Sequence, residues 1–486
     1  MDCFIGLDVG TSATKGIVVA ADGSARASAS AATRIIRDEP GRAEVDPEDH
    51  YRSVCSVIGE LASRRPRGSR VRALAMAAAS GNILLTDREG RPLHNILSWL
   101  DTRSVGKSAE LLQGFDPSGH HETTGWPYSE LFPLAQLGWM RRNRPEVWGK
   151  AEHIGMNTDW LLYRLCGRWG MDHSTATPFF LQDQRSLSWH MPYLELLAIR
   201  EEQLSPLAPS GSRLGTISPH AARDTGLDEE TVVALGCFDH PGAARGAGVL
   251  RPGDLLLSCG TSWCGFYPVL ERERAVRAGL LVDPFLSPRG PWGAILALTA
   301  VAVTIERYLE RHVAPGLPPV ERYRRFGELA ASAPAGAGGL AIDIYRDRPA
   351  VLDELDPSLR ERSPAQIARA LMEAPALELR RRVEELERAG IASSRLVMVG
   401  GPTQSPVWTR IVAEVMGREL TVTNGQSAGA MGGAILAALA AGAFRDEKAA
   451  FAAMGGEGAR FEPDPEQAGA YEGIYRGYRE RRERGR

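Results

Sequence analysis

The stretch DVGTSATK, residues 8–15, separates two short apolar runs, 4–9 and 16–20, and the second run ends at Asp22-Gly23. Runs of that length stopped by glycine and small polar residues predict strand, tight turn, strand, with a third strand over 27–36 completing a meander. A buried strand over 71–77 and an extended piece over 83–86 follow, closed by the turn Asp87-Arg88-Glu89-Gly90. Helical periodicity over 49–62 makes the class mixed α/β. The same pattern returns at mid-chain: an apolar run over 255–258 stops at Gly260-Thr261-Ser262 and resumes over 264–269. A strand, GTS turn, strand motif at the start of each half predicts a duplicated domain, divided into 1–246 and 247–486 near the Arg251-Pro252-Gly253 punctuation.

A chain of 486 residues exceeds one ordinary core, and two domains of roughly 200–250 residues leave room for a ligand cleft. The formal net charge of −3, with both signs interspersed, gives no broad attraction to nucleic acid or membrane. Six scattered cysteines form no CxxC pair. With no basic leader and no apolar run of membrane length, the expected setting is the cytoplasm. A homodimer is left open.

In the first turn, glycine lets backbone N–H groups converge, the Thr11 and Ser12 hydroxyls add donors, and Lys15 adds charge, which suits phosphate oxygens. Asp8 is placed to hold hydrated magnesium. An ordinary hairpin with a polar tip accounts for the turn equally well, but a second copy at Gly260, Thr261 and Ser262 favours a polyphosphate gripped by both. Asp239 follows an apolar strand over 232–235 and leads into an alanine- and glycine-rich helix. There it is placed to take the proton of an attacking hydroxyl, or to act as a helix N-cap. In SWLDTR, residues 98–103, Trp99 offers an apolar face and Asp101 and Arg103 offer hydrogen bonds to a sugar or to each other. A strand over 395–399, the turn Gly400-Gly401-Pro402 and a helix opened by Ser405-Pro406 lead to a last helix, 427–441, whose glycines imply close approach of another backbone or a flat ligand. Trp126, Phe132, Leu137, Trp139 and Met140 read as core, His120-His121 as a polar loop, and the arginine-rich tail 471–486 as a solvated helix end.

In this order, DVGTSATK, SWLDTR, NTDWLLYRLCG, the Asp239 loop, SCGTSW, GGPTQSPVW and the glycine-alanine helix resemble the FGGY carbohydrate kinase family, within the sugar kinase, heat-shock chaperone and actin superfamily. The resemblance implies two ribonuclease-H-like (actin-like ATPase) domains with mixed sheets around a central cleft, sugar held mainly by the first and ATP by the second. It implies a kinase using ATP and Mg²⁺, with Asp239 as general base and Asp8 and Asp239 near the metal. Asp8, Gly10, Thr11, Ser12 and Lys15 belong to the first phosphate loop, and Gly260, Thr261 and Ser262 to the second. Gly400, Gly401, Gln404 and Asn424 lie along the nucleotide, with Gly429 nearby, while Trp99, Asp101 and Arg103 face substrate. Xylulose kinases resembling this chain carry Gln-Met-His-Gly where this sequence has Ala79-Ser80-Gly81-Asn82, so Ser80, Gly81 and Asn82 line an altered sugar pocket. His240 replaces the usual asparagine or glutamine, proline replaces a third glycine at position 402, and residues 339–364 match only loosely. The expected acceptor is a small ketose, either a pentulose such as xylulose or ribulose or a hexulose. The alternatives are a glycerol- or erythritol-type polyol and a regulatory ATP-binding protein on the same scaffold.

Overall fold

The computed structural model describes residues 1–24, 26–260, 263–298, 301–342, 359 and 361–484. Thr261 and Ser262 and most of 339–364 therefore lie outside the described residues. In chain order, the elements that position the site begin with β1 (Asp2–Val9), β2 (Ala13–Ala20), β3 (Arg26–Ala32), α1 (Pro47–Ser63) and β4 (Arg70–Ala78). Next come β5 (Arg213–Thr216), β6 (Val232–Ala234), β7 (Cys237–Phe238) and α2 (Asp239–Gly246). After them run β8 (Gly253–Cys259), β9 (Trp263–Val269), β10 (Leu281–Pro284), α3 (Pro364–Arg388), β11 (Ser393–Gly400) and α4 (Pro406–Met416). The chain closes with β12 (Leu420–Val422), α5 (Ala428–Ala440), β13 (Ala459–Phe461) and α6 (Pro465–Arg484).

The chain divides into two units. One comprises Met1–Arg251, Pro268–Ala294 and Ser427–Gly456, the other Pro252–Tyr267, Ile295–Gln426 and Glu457–Arg486. The first unit thus recruits β10 and α5 from late in the chain, which a division into consecutive halves at residue 246 does not contain.

The first unit's sheet has the order β5-β6-β4-β1-β2-β3. β1 and β2 form the predicted hairpin, with Asp8 opposite Lys15, and β4 runs parallel to β1. Alternation decides its two faces. Cys3, Ile5, Leu7 and Val9 pack with Val54, Val57, Ile58 and Leu61 of α1, whereas Phe4, Ile17, Val19, Ala73, Ala75 and Ala77 pack with Met431, Ala434 and Ile435 of α5. Each large side chain so buried contributes about 1.5–3 kcal/mol. α1 starts where the Asp46 carboxylate accepts from the Asp49 N–H at 2.8 Å, with Pro47 next in line.

In the second unit the consecutive strands β9-β8-β11-β12-β13 repeat the scheme: β8 and β9 are an antiparallel hairpin, and β11 and β12 add in parallel. The Ser405 hydroxyl caps α4 by accepting from the Trp408 N–H, and Gly417 ends the helix in the left-handed conformation. Hairpin followed by parallel strands in both units is the architecture that the repeated GTS motif predicts.

α5 lies against neighbours with no side chain between. A Cβ on Gly6 would sit 1.8 Å from the Ala430 carbonyl oxygen, one on Gly432 2.0 Å from that of Gly242, and one on Gly246 1.9 Å from that of Ala428. Of the two explanations offered for its glycines, close backbone approach is the one observed.

Two readings are corrected. The tail is not merely a solvated helix end: Tyr471, Tyr475 and Tyr478 of α6 are buried against α3, their hydroxyls donating to Glu373, Glu384 and Glu378 at 2.6–2.7 Å. The spacing i, i+4, i+7 was the overlooked signal. His120 and His121 begin a short helix, His120–Thr124, rather than a polar loop. His120 is fully buried among Phe115, Tyr128, Phe180 and Tyr193, with Nδ1 2.9 Å from the Tyr193 hydroxyl. Among the described residues no group of three His, Cys, Asp or Glu could hold a metal, and no helix is long and apolar enough to cross a membrane.

Substituting Gly432→Ala will destabilise the protein by about 1–3 kcal/mol or more in urea melts, because backbone rather than a yielding side chain meets the new methyl. Gly469→Ala on the open face of α6, with nothing within 4 Å, will instead stabilise it by up to about 1 kcal/mol. Burial, helped by the charges of His121 and His190, holds the His120 pKa down to about 3, below the ordinary unfolded value of about 6.5. Unfolding between these values takes up a proton. Relative to His120→Phe, the wild type will therefore lose about 1.4 kcal/mol of stability per pH unit as pH falls below about 6. Parallel pH dependences for the two proteins would show that folding leaves the His120 pKa unchanged.

Candidate active site

Within the first unit, the carboxyl ends of β1, β4 and β7 come side by side: the Ala79 N–H donates to the Val9 carbonyl at 2.9 Å, and both Val9 and Phe238 pair with Ala78. Such adjoining strand ends form the ligand-binding rim of α/β sheets. The DVGTSATK turn leaves this rim with the Gly10 N–H bonded back to the Ala13 carbonyl at 3.0 Å and with Ser12 and Lys15 exposed. Thr11 is tied to the SWLDTR segment, its Oγ1 accepting from Trp99 Nε1 at 2.9 Å.

Asp239 is the first residue of α2. Phe238 occupies the cap position without a side-chain cap bond, so the N-cap reading of Asp239 does not apply. A carboxylate in the first helical turn is favoured by the helix dipole. The Asp239 side chain is 31 % exposed, yet its Oδ1 is shielded from solvent and makes no hydrogen bond, with His240 Nδ1 3.7 Å away. Burial raises the Asp239 pKa, and the His240 charge opposes this. Asp8 is pushed up to about 7 by burial and then by the charge of Asp239, against Lys15 and His240. Gly429 completes this corner: a Cβ there would lie 2.6 Å from Asp8 Oδ2, so α5 begins directly against the carboxylate. Two adjoining carboxylates, one with an orphaned oxygen, suit magnesium, which takes one or two protein carboxylates and keeps water or phosphate for the rest.

The other substrate-side residues lie nearby, but their polar groups are engaged. Asn82 Oδ1 accepts from the Trp99 N–H at 3.0 Å and Nδ2 donates to the Ala79 carbonyl at 3.0 Å. Asp101 accepts from the Ala43 N–H and from the backbone and Nε of Arg103. Arg103 also reaches Glu44 at 2.6 Å and stacks on Trp139 at 4.3 Å, so the pair is buried rather than superficial. Ser80 is buried, its hydroxyl 3.4 Å from the Ala78 carbonyl. Gly81, at φ 89°, is wedged so that a Cβ would touch Phe132 at 3.2 Å and Trp99 at 3.3 Å. The NTDWLLYRLCG helix, Asn157–Cys166, buttresses this segment through the Asn157 N–H, which donates to the Asn82 carbonyl at 2.9 Å.

In the second unit, Gly400 at the end of β11 pairs with Cys259, and a Cβ there, at φ 102°, would lie 2.2 Å from the Cys259 carbonyl oxygen. The GGPTQ turn is thereby held against the start of the second GTS turn at Gly260. The Thr403 hydroxyl donates to the Gly400 carbonyl at 2.7 Å, and Gln404 is exposed. Asn424, at φ 52°, precedes Gly425, whose Cβ would come 3.6 Å from Thr403 Oγ1. Gly260, Gly400, Gly401, Gln404 and Asn424 thus share one rim.

Trp126 is core, as read, and touches the site edge-on through Phe238 at 5.5 Å between ring centroids. Missed in the sequence was Ser174, whose Oγ accepts from the Phe238 N–H at 3.1 Å, one residue before Asp239. Asp283, a lone acid in the apolar run LLVDPF, was also overlooked, although its isolation was a signal.

Residues 3–246 match the model for the FGGY family of carbohydrate kinases, N-terminal domain, and residues 328–441 that for its C-terminal domain. The xylulose kinase of Bacillus subtilis (strain 168) is 26 % identical, covering 98 % of this chain and 95 % of the relative. The autoinducer-2 kinase of Enterobacter sp. (strain 638) is also 26 % identical, over 98 % and 93 %. The crystal structure of ligand-bound xylulose kinase from Lactobacillus acidophilus superposes with a TM-score of 0.85 at 22 % identity, over 99 % and 98 % of the two chains. With both family models matched in order across most of its length, the chain belongs to the FGGY family of carbohydrate kinases and is an ATP-dependent carbohydrate kinase.

Proposed function

We propose that the protein transfers the γ-phosphoryl group of ATP to a hydroxyl of a small ketose, with Asp239 as general base. The observation that carries this reading is the orphaned Oδ1 of Asp239, shielded in a rim of strand ends with a second carboxylate beside it. A buried carboxylate oxygen without a donor is destabilising unless a ligand supplies the missing partner. A substrate hydroxyl supplies it, and as that oxygen attacks phosphorus its proton passes to Asp239. Raising the pKa of Asp239 by burial strengthens it as an acceptor.

Asp8 and Asp239 would hold Mg²⁺, which when bound offsets the negative charge of the phosphates. The mutual repulsion that raises Asp8 is relieved by a divalent cation. The turn 10–12 with Lys15 and the turn at Gly260 bind phosphate oxygens, and Gly400, Gly401, Gln404 and Asn424 accommodate the rest of the nucleotide. Trp99 supplies an apolar wall for the acceptor. Asn82, Asp101 and Arg103 fix that wall through the bonds they already make. A ketose is favoured over a polyol because the full-length relatives are named xylulose kinase and autoinducer-2 kinase, whose substrates carry a carbonyl beside hydroxyls.

Asp239→Asn will keep the fold and ATP binding and lower turnover by about 10²–10⁴, measured as acceptor-dependent ADP release. Near-normal turnover would remove Asp239 from the role. In a panel of D-xylulose, D-ribulose, ketohexoses, autoinducer-2, glycerol and erythritol, a carbonyl-bearing acceptor will give the highest kcat/KM. A polyol ranking first would overturn the acceptor assignment, and ADP release indifferent to every acceptor would favour the regulatory alternative.

A further inference from the structure

Two hydrogen bonds of Trp99 lead back to the first phosphate turn. Its indole Nε1–H donates to Thr11 Oγ1 at 2.9 Å. Its main-chain N–H donates to Asn82 Oδ1 at 3.0 Å, Asn82 Nδ2 donates to the Ala79 carbonyl at 3.0 Å, and the Ala79 N–H donates to the Val9 carbonyl at 2.9 Å, just before Gly10-Thr11. These bonds close into one ring, which runs from Thr11 through the acceptor wall and back to the end of β1. The turn is also braced on both sides of Thr11: the Gly10 N–H is bonded to the Ala13 carbonyl at 3.0 Å, and the Ser12 carbonyl accepts from the Thr33 N–H at 2.9 Å. Asn82 stands where xylulose kinases resembling this chain carry glycine, which has no side chain to close such a ring.

The chemistry of the Trp99–Thr11 pair fixes a direction. An indole N–H only donates, so toward Trp99 the Thr11 oxygen is an acceptor, and its own hydrogen points elsewhere. Among the described residues the Thr11 hydroxyl donates to no other group. Thr11 and Trp99 are each half-buried, which leaves the hydroxyl within reach of a ligand. A hydroxyl that accepts one hydrogen bond is polarised into a better donor, and an anionic phosphate oxygen makes the strongest use of it. A half-buried indole can give its N–H to water, so burial alone does not dictate that it holds a hydroxyl of this turn.

We propose that Trp99, besides walling the acceptor, is a positioning residue for the nucleotide: its N–H sets the Thr11 hydroxyl as a donor to a phosphate oxygen of ATP, and Asn82 holds Trp99 in place for this. The proposal rests on the reading of residues 10–12 as a phosphate turn. Its consequence is that acceptor wall and phosphate turn form one piece. A substitution on the acceptor side is then felt in ATP affinity before any acceptor binds.

The test titrates the full chain by calorimetry with the non-hydrolysable β,γ-imido analogue of ATP, in Mg²⁺ and without acceptor, and records the melting temperature, for Thr11→Val, Thr11→Ser, Trp99→Phe, Asn82→Ala and the double variant T11V/W99F. T11V keeps the shape and loses the hydroxyl, and will weaken binding by about 10–100-fold, the worth of a hydrogen bond to a charged group. T11S will recover most of that loss. W99F keeps an apolar ring and loses the N–H. It will weaken binding by about 3–10-fold, because the freed hydroxyl spreads over about three staggered positions and loses its polarising donor. N82A will weaken binding in the same direction and by less. The double variant will bind no worse than T11V, because Trp99 acts through Thr11. Wild-type affinity in W99F beside a weakened T11V, or a double variant showing the product of both single losses, would overturn the proposal and leave Trp99 as a wall alone. Should W99F melt too low to titrate, N82A decides, since it opens the ring with the indole intact, and wild-type affinity there overturns the proposal. Wild-type affinity in T11V is a different failure: residues 10–12 are then no phosphate turn, and the reading beneath the proposal falls with it.

Discussion

Backbone-to-backbone contact between α5 and its neighbours is the constraint on which the first unit's site depends. At Gly6, Gly246 and Gly432 a single methyl would overlap a carbonyl of the neighbouring element, so helix, strand and helix approach as closely as main chains allow. That approach sets the end of β1 and the start of α2 against the first turn of α5, and brings two carboxylates into one corner. Glycine in a helix interior costs about 1 kcal/mol of intrinsic stability relative to alanine. Burying Met431, Ala434 and Ile435 on the β1 and β4 face offsets it.

The same corner concentrates negative charge where water is scarce. Burial and then the charge of Asp239 raise the proton affinity of Asp8, burial raises that of Asp239, and His240 opposes both shifts. No folding requirement produces such an arrangement, since a pair of amides would pack equally well without repulsion. Groups left unsatisfied by the fold are instead those a ligand completes. The glycine interface makes room for this corner, because any side chain at Gly429 would occupy the space of the Asp8 carboxylate.

Much of this was legible in the sequence, for a physical reason. β1, β2 and the turn between them depend on neighbours a few residues apart, so DVGTSATK announces its own conformation, and GTS at 260 repeats the announcement. Asp239 and the small-residue helix were legible as types, although not as partners. What escaped was long-range. The tyrosine stripe at 471, 475 and 478 shows helical spacing, but nothing local says that glutamates about a hundred residues earlier receive its hydroxyls. His120 looks polar beside His121 until Tyr193 and Phe180 close over it. Asp283 stands in an apolar run, and only tertiary packing shows it fully buried.

The division between backbone and side chain also bears on specificity. On the phosphate side, the residues that match the family pattern are shaped by main-chain geometry: a tight turn whose Gly10 N–H is bonded to the Ala13 carbonyl, and Gly400 pressed against β8 where no side chain fits. At Gly400 any side chain would run into the Cys259 carbonyl, so that position holds to glycine for a reason independent of the acceptor. On the acceptor side, the departure at 79–82 puts Ala79 and Gly81 where the family pattern has glutamine and histidine; Gly81 is wedged between Trp99 and Phe132, and Asn82, which stands where the pattern has glycine, has its amide bonded to the protein. Fewer free hydrogen-bonding groups then face an acceptor, and each hydroxyl of a polar sugar left without a partner weakens binding. A wall of this kind discriminates by shape and apolar surface more than by hydroxyl count.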